Sequence, residues 1–260
     1  MWQTAVTQPC ELGESPFWHP REKRLYWVDI ADRDLLQLDP ATGAVDRWPM
    51  PQEPGSIAPA RDGGLVIALR GGLYHARGWG AALDLLAAAP YDTQCLRFND
   101  GKCDPAGRFW VGTYAERKTE PQATLHCYDP ASPQGFATPR HAGFLSSNGL
   151  AWSPDGATLY WADTAGHAIH TWAYDVTTGR LEGAPRLLRR FEPRPPGETS
   201  DRPGPVAYGG RPDGATMDAE GCYWVAMYEG ARVLRLSPSG ELLQDIPTPV
   251  QCPTMPCFGG

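Results

Sequence analysis

The chain has no cysteine framework. Its seven cysteines are an odd number, spread from Cys10 to Cys257, and no two of them are separated by only two residues. This spacing excludes a disulfide-stapled fold and leaves no group of four thiolates for a structural zinc ion. Unpaired thiols are typical of proteins in a reducing compartment, so we expect a cytoplasmic location.

The chain also lacks long apolar runs and clusters of basic residues. No apolar run approaches the roughly 18 residues of a membrane span, and the N-terminal residues lack the basic and apolar segments of a signal peptide. The 260 residues carry 23 Lys and Arg against 30 Asp and Glu, a net charge of −7. We therefore expect neither nucleic acid nor a membrane as a partner. The sequence does not indicate an oligomeric state.

Helical periodicity is scarce, and strand-like segments take its place. The one helix candidate, GWGAALDLLAAAP (78–90), is short. Runs rich in aromatic and β-branched residues and bounded by Gly, Asp and Pro are typical of strands. Five such runs recur along the chain: RLYWVDI (24–30), GLVIAL (64–69), RFWVGT (108–113), TLYWADT (158–164) and CYWVAM (222–227).

The spacing of these runs predicts a repeated architecture. One residue of each run marks the repeat, and successive markers are 40, 43, 51 and 63 residues apart. The markers are Trp27, Ile67, Trp110, Trp161 and Trp224. Strands with a period in the forties indicate a β-propeller, in which each repeat is one four-stranded blade. We predict an all-β, single β-propeller domain over 1–260, with the Pro-rich stretch 189–210 as a surface loop.

Polar side chains recur at one point of the repeat, at the start of the strand that precedes each run. The stretches SSNGLAWSPDG (146–156) and RPDGATMDAEG (211–221) each place a polar residue, Asn148 or Asp213, before a glycine. The equivalent residues of the other repeats are Glu14, Gly55 and Asn99. In a propeller these strand starts surround one mouth of the central channel, so we expect the side chains to converge there.

Two interpretations of these polar residues are open. Asn and Asp before Gly are common in turns, because these residues tolerate positive φ. Glu14 is not a turn residue, however, and converging acidic groups repel one another unless a cation lies between them. Carboxylate and amide oxygens are hard ligands that suit Ca²⁺, Mg²⁺ or Mn²⁺. Taken together, the residues favour a site for one divalent cation.

Five stretches resemble the regucalcin/gluconolactonase family, which includes senescence marker protein and the sugar lactone lactonases. They are LGESPFW, RFNDGKCDPAGRFWVGTYAE, SNGLAWSPDG, PDGATMDAEGCYWVA and CFGG, in the family's order over nearly the whole chain. Each stretch alone is a weak signal, but the set is specific. The resemblance implies a six-bladed β-propeller with one divalent cation on its axis. We expect Ca²⁺ first, with Zn²⁺, Mn²⁺, Mg²⁺ or Fe²⁺ as alternatives.

The resemblance also implies roles for individual residues. The implied metal ligands are Glu14, Asn148 and Asp213, and the implied substrate contacts are Arg97, Asn99 and Glu116. Considered without the family, Arg97 has an equally good interpretation as a salt bridge between blades.

The chain differs from the family pattern in two places. Regucalcin-like members have two adjacent acidic residues after the GT of the third run, and the second of these contacts substrate. Here Glu116 is followed by Arg117, so the substrate of those members does not carry over. The family also continues past CFGG through another strand segment, whereas this sequence ends at Gly260. We expect PTMPCFGG to form only the inner strand of blade six, so that either the sequence is clipped after Gly260 or the last blade is incomplete.

The expected activity is hydrolysis of a small-molecule sugar lactone to the aldonic acid. The metal is expected to polarise the lactone carbonyl, and Asp213 to be both a ligand and the general base that activates water. The motifs GxSxG, HExxH, GxGxxG and the P-loop are absent. One alternative is a metal-binding regulatory propeller without turnover, since binding and catalysis use the same ligands. A receptor propeller, which LYWVD and LYWAD suggest, is disfavoured because disulfides and a signal peptide are not expected.

Overall fold

The regular structure of the chain consists of β-strands. The structure, a computed structural model, describes residues 2–117, 120–132, 135–136, 139–197 and 208–259. Within these ranges no residue is helical, and hence no helix there is long and apolar enough to cross a bilayer. The segment 78–90, the one helix candidate, forms a strand over Leu83–Ala88.

The strands follow one another with short turns between most of them. In chain order they are β1 (Gly13–His19), β2 (Arg24–Asp29), β3 (Asp34–Asp39), β4 (Ala44–Pro49), β5 (Pro54–Pro59), β6 (Leu65–Leu69), β7 (Gly72–Ala76), β8 (Leu83–Ala88), β9 (Leu96–Cys103), β10 (Phe109–Ala115), β11 (Ala123–Tyr128), β12 (His141–Phe144), β13 (Ser147–Trp152), β14 (Thr158–Asp163), β15 (Ala168–Asp175), β16 (Arg180–Arg190), β17 (Arg211–Met217), β18 (Tyr223–Tyr228), β19 (Arg232–Leu236) and β20 (Leu242–Pro247).

These strands form five four-stranded sheets, each made of four consecutive strands paired in chain order. The sheets are β1 to β4, β5 to β8, β9 to β12, β13 to β16 and β17 to β20. Every marker residue of the sequence repeat lies on the second strand of its sheet, as expected for equivalent blades. The first strand of each sheet, which carries the recurring polar position, is an edge strand.

Contacts between residues divide the chain into two compact units. The first unit comprises Gln3–Ser147 together with the C-terminal residues from Cys257. The second unit comprises Asn148–Pro256 together with Trp2. The first unit therefore holds three sheets, and the second holds the sheets that begin with β13 and β17. The expectation of a single domain stays a prediction.

Each unit has its own apolar core, built from the inward-facing residues of its strands. In the first unit, Ile67, Phe98 and Trp110 are fully buried. In the second unit, Ile169 and Tyr223 are fully buried within one cluster. Burying one such side chain stabilises the fold by about 1.5–3 kcal/mol, so the aromatic and β-branched composition of the runs is explained by packing.

The last segment of the chain does not complete a sheet. PTMPCFGG forms no strand within the described residues, so the inner strand expected there is not made. The carbonyl of Thr254 nevertheless accepts a hydrogen bond from the backbone N–H of Gly214 on β17 (2.8 Å). In the Pro-rich stretch, residues 191–197 are described and form no strand, whereas 198–207 lie outside the described residues.

A histidine is buried in the core of the first unit. His126 on β11 has no solvent exposure and packs against the rings of Tyr91 and Phe136. Its Nε2 lies 2.7 Å from Oγ1 of Thr124, whereas its Nδ1 has no hydrogen-bond partner among the residues that the structure describes. Burial lowers the pKa of His126 from 6.5 to about 4, because the charged imidazolium has no compensating partner there.

The buried histidine predicts a loss of stability in mild acid. Between pH 6.5 and pH 4 the unfolded chain takes up a proton that folded His126 does not, so stability is complete above pH 6.5 and falls below it. We expect His126 to account for about 2 kcal/mol of the difference in unfolding free energy between pH 8 and pH 5. Urea titrations at both pH values measure this difference.

The control compares two histidine variants. His126→Gln should remove most of that difference, whereas His75→Gln, at a half-exposed position of β7, should leave it unchanged. An equal pH dependence in the wild type and in His126→Gln would mean that other groups cause the acid sensitivity.

Candidate active site

The recurring polar residues occupy matching places in their sheets. Glu14 is the second residue of β1 and Asn99 the fourth residue of β9. Asn148 is the second residue of β13, and Asp213 is the third residue of β17. Asn99, Asn148 and Asp213 are buried, and Glu14 is half-buried.

The pairing between first and second strands is interrupted at or directly after three of these residues. On β1 the register with β2 shifts after Glu14, on β17 the register with β18 shifts after Pro212, and β9 carries two residues, Asn99 and Asp100, opposite Gly112 of β10. Such bulges insert an extra residue, turn the side chain and are common beside active sites. Asn99 and Asp213 lie within their bulges, and the bulge of β1 directly follows Glu14.

Left-handed backbone accompanies two of the polar residues. Ser15 follows Glu14 with φ of 51°, and Gly149 follows Asn148 with φ of 64°. A non-glycine residue rarely adopts this conformation, and Ser15 is held in it while its Oγ accepts a hydrogen bond from the N–H of Ile57 (3.1 Å). This bond connects the bulge of β1 to β5 within the first unit.

Arg97 and Asn99 form a hydrogen-bonded pair in the first unit. Nη1 of Arg97 donates to Oδ1 of Asn99 (2.7 Å) and to the carbonyl of Phe98 (3.0 Å), and its guanidinium lies over the ring of Tyr114 (4.7 Å). Nδ2 of Asn99 donates to the carbonyl of Ser147 (3.1 Å). The amide of Asn99 is therefore held from both ends.

The charge of Arg97 is buried and lies near acidic groups. Burial lowers the pKa of Arg97, and the electrostatic influence of Tyr114, Glu14 and Glu116 opposes that shift. No described carboxylate lies within 4.0 Å of its guanidinium, so the salt bridge between blades that the sequence left open is not formed in the described chain. An arginine held by an amide and an aromatic ring is suited to donate hydrogen bonds to a ligand.

Glu116 is held by an arginine that the sequence did not single out. Its two carboxylate oxygens accept hydrogen bonds from Nη1 and Nη2 of Arg70 (3.0 and 2.7 Å). Arg70 also donates to Glu53 (2.9 Å), and this arginine lowers the pKa of both carboxyl groups. The Glu116 side chain is 38% exposed, so a substrate contact requires competition with Arg70. The role of Glu116 in binding stays a prediction.

In the second unit, Asn148 and Asp213 lie on neighbouring first strands. A Cβ placed on Gly149 would lie 3.0 Å from the carbonyl oxygen of Asp213, and it would overlap the hydroxyl of Tyr223. That hydroxyl donates to the carbonyl of Gly149 (2.6 Å). Only a residue without a side chain allows this approach, so Gly149 brings the backbone of β13 against Asp213.

The amide of Asn148 has a fixed orientation. Its Nδ2 donates to Oγ1 of the buried Thr164 (2.7 Å), which directly follows β14. This bond assigns the nitrogen end of the amide to Thr164 and so fixes which end is the oxygen. A second residue that orients a ligand in this way is a common feature of metal sites. Thr164 lies in the TLYWADT run, and nothing in that pattern distinguishes it as a partner.

The chemistry of these donors fits a hard divalent cation. Glu14 and Asp213 carry carboxylate oxygens and Asn148 carries an amide oxygen, which are the donor types that such a cation prefers. A separate group, Asp218, Glu220 and Cys222, also has ligand atoms within 4.8 Å of one another. There, however, Asp218 accepts hydrogen bonds from Arg235 and from the indole of Trp224, so its charge is already compensated.

The chain is similar to proteins of one known family over almost its whole length. A family model described as the SMP-30/Gluconolactonase/LRE-like region matches residues 12–260. A 6-deoxy-6-sulfogluconolactonase of Pseudomonas putida is 40% identical over 255 residues, which cover 98% of this chain and 81% of the relative. Regucalcin of Gallus gallus is 35% identical over 257 residues, covering 96% and 79%.

A solved structure has the same fold. The calcium-binding protein regucalcin of Agrobacterium tumefaciens aligns with a TM-score of 0.87 and 25% identity, covering 98% of this chain and 81% of that one. This similarity confirms the all-β propeller that the repeat predicted, and the described residues form five four-stranded blades.

Proposed function

Because the chain belongs to the SMP-30/gluconolactonase/LRE-like family, it is a sugar lactonase of the gluconolactonase type, and we propose that its hydrolysis depends on a divalent cation. The observation that carries this proposal is the fixed approach of Gly149 to Asp213, which sets an amide oxygen and a carboxylate on neighbouring strands. Glu14 supplies a second carboxylate from the matching position of β1.

Three side chains are proposed to hold the cation: Glu14, Asn148 and Asp213. Calcium is the first choice, because all three donors are oxygens and a similar solved protein is described as calcium-binding. Zn²⁺, Mn²⁺, Mg²⁺ and Fe²⁺ remain alternatives, since carboxylate ligands accept several of them. Three protein ligands leave positions for water or substrate oxygens.

Each residue of the site is proposed to have a different role in the hydrolysis. A cation held by Glu14, Asn148 and Asp213 would supply Lewis acidity to the lactone carbonyl and its oxyanion. Asp213 accepts a proton from the attacking water, whose oxygen forms the new bond to the carbonyl carbon. The bond to the ring oxygen breaks, and that oxygen takes up the proton, which yields the aldonic acid. Arg97 and Asn99 donate hydrogen bonds to the sugar, and Glu116 accepts one.

The cellular setting is proposed from the cysteines. All seven are free thiols in the structure, although several lie in partly buried positions. Free thiols persist in a reducing compartment, so we propose that the reaction takes place in the cytoplasm on a small-molecule sugar lactone.

Metal removal tests the proposal directly. Dialysis against a chelator should lower the rate of lactone hydrolysis, followed in a pH-stat, by about 100-fold, because the oxyanion loses its main electrostatic partner. Adding back each divalent cation in turn should restore the rate and rank the metals. Full activity after exhaustive chelation would refute the role of the cation, and cation binding without turnover of any lactone would indicate a regulatory metal-binding protein.

A further inference from the structure

Two arginines of the second unit share one buried carboxylate. Glu229, just after β18, is 4% exposed and has φ of 66°. Nη2 of Arg194 donates to its Oε1, and Nη2 of Arg211 lies 3.4 Å from the same oxygen. One negative charge therefore faces two guanidinium groups, and the cluster of Arg194, Arg211 and Glu229 has a net positive charge. A non-glycine residue held at positive φ is a strain that often accompanies a functional site.

Arg211 has donors that the protein does not use. Its guanidinium lies over the ring of Tyr228 (5.3 Å), and it makes no hydrogen bond within the described part of the chain. Its Nε is buried and without a partner among those residues. The side chains of Arg211 and Arg194 are 23% and 31% exposed, so a ligand can reach both guanidinium groups. Unused guanidinium donors beside a second arginine are suited to bind an oxyanion.

The cluster lies beside the proposed catalytic carboxylate. Arg211 begins β17, and Asp213 follows two residues later, before the register shift is complete. Residues two apart along a chain have Cα atoms at most about 7 Å apart, so Arg211 lies close to Asp213 although the bulge between Pro212 and Ala215 interrupts the regular alternation of side chains. The charge of Asp213 also acts on Tyr228, the residue under the Arg211 guanidinium: burial raises the pKa of Tyr228 to about 12, and Asp213 adds to that shift. The distance between the Cα atoms of Arg211 and Asp213 corresponds to the length of a few bonds in a sugar molecule.

We propose that Arg194 and Arg211 bind an oxyanion carried by the lactone, so that the substrate is an acidic sugar lactone bearing a sulfonate or phosphate group. This inference rests on the proposed function, because it assigns the substrate class of the same site. It is supported by the 40% identical relative, which acts on a sulfonated gluconolactone. Arg117 also stands where regucalcin-like members have an acidic substrate contact, and this change to a positive charge favours a negatively charged substrate.

A second arginine cluster in the same sheet has the opposite balance of charge. Arg235 on β19 donates to Asp218 (2.9 Å) and also to Glu220. Here one guanidinium faces two carboxylates, so the net charge is negative and the donors are occupied. Asp218 directly follows β17, whereas Arg211 begins it, so the two clusters lie at opposite ends of that strand. Arg235 is therefore a matched control.

The experiment compares two lactones that differ in charge. In the wild type, kcat/KM should be higher for 6-deoxy-6-sulfogluconolactone than for gluconolactone. We expect the ratio of the two values to fall roughly 10- to 100-fold in Arg194→Gln, since a charge-assisted hydrogen bond is lost. Arg211→Gln should lower it similarly, and Arg235→Gln should leave it unchanged. A 6-phosphorylated gluconolactone as third substrate distinguishes phosphate from sulfonate recognition.

Direct binding keeps the test independent of turnover and of folding defects. Calorimetric affinity for the hydrolysis product, 6-deoxy-6-sulfogluconate, should fall in Arg194→Gln, in which Arg211 still compensates Glu229, and circular dichroism identifies any misfolded variant. A wild type that hydrolyses both lactones equally, with a ratio unaffected by either substitution, would overturn the oxyanion site and leave the lactonase intact. If no lactone is hydrolysed, the proposed function fails. In that case, product binding that is weakened by Arg194→Gln still supports the oxyanion site. Product binding that is unaffected by Arg194→Gln overturns it.

Discussion

The Asp213→Ala variant should lose lactone hydrolysis by a factor of roughly 10⁴. A general base typically contributes 10²- to 10⁴-fold, and the same carboxylate is proposed to hold the cation that stabilises the oxyanion. The fold should survive, because β17 pairs with β18 on both sides of the bulge, through Pro212 with Met227 and Ala215 with Val225. Initial rates in a pH-stat measure the loss, and circular dichroism checks the fold.

Two further variants sharpen this result. Asp213→Asn retains an oxygen ligand but cannot accept the proton, so saturating cation should restore metal binding in calorimetry without restoring the rate. Asp245→Ala, in the same unit, removes an exposed carboxylate that pairs with Arg232 and should leave the rate within a factor of two, an allowance of about 0.4 kcal/mol in the barrier. If Asp213→Asn with saturating cation matches the wild type, Asp213 is a ligand only and another group activates water.

Gly149→Ala should destabilise the protein by about 2–5 kcal/mol. Positive φ costs an alanine roughly 1–2 kcal/mol, and overpacking adds about 1–3 kcal/mol, because the new methyl group would overlap the hydroxyl of Tyr223 and press on Ala162. Chemical unfolding monitored by fluorescence measures the loss. Cation affinity should fall as well, since the methyl group displaces β13 from the carbonyl of Asp213.

The control separates backbone strain from the clash. Gly183 on β16 has φ of 69°, and no atom lies within 4 Å of the place that a Cβ would occupy, so Gly183→Ala should cost only about 1–2 kcal/mol. The double variant Gly149→Ala/Tyr223→Phe removes the overlapping hydroxyl and should be less destabilised than the sum of its single changes. Strict additivity of the two changes would show that Tyr223 is not the group that Gly149 accommodates.

The blades were predictable from sequence because their physical causes are local. Strand runs such as TLYWADT are made of side chains that pack on a pleated surface, and their spacing repeats with the four-strand blade. The same regularity placed Asn148 and Asp213 at matching positions, which the structure puts at the starts of β13 and β17. A repeat preserves the position of a residue even where it does not preserve its type.

The partners of these residues were not predictable, because they come from distant parts of the chain. Thr164 orients Asn148 across 16 residues, and Arg70 reaches Glu116 across 46. The bulges were not predictable either, since an extra unpaired residue leaves the hydrophobic pattern of a strand almost unchanged. No periodic pattern connects Arg194 with Glu229, which are joined only by folding.

The glycine at the equivalent position of the second sheet limits what this architecture can coordinate. A Cβ on Gly55 would overlap the carbonyl of Phe98 and approach the backbone nitrogen of Asn99 to 2.9 Å. Any larger residue would push β9 away and disturb the arginine–asparagine pair that it carries. The second sheet therefore cannot contribute a ligand side chain at this position. A redesign of the proposed cation site toward a higher coordination number has to take its additional oxygen ligand from another position.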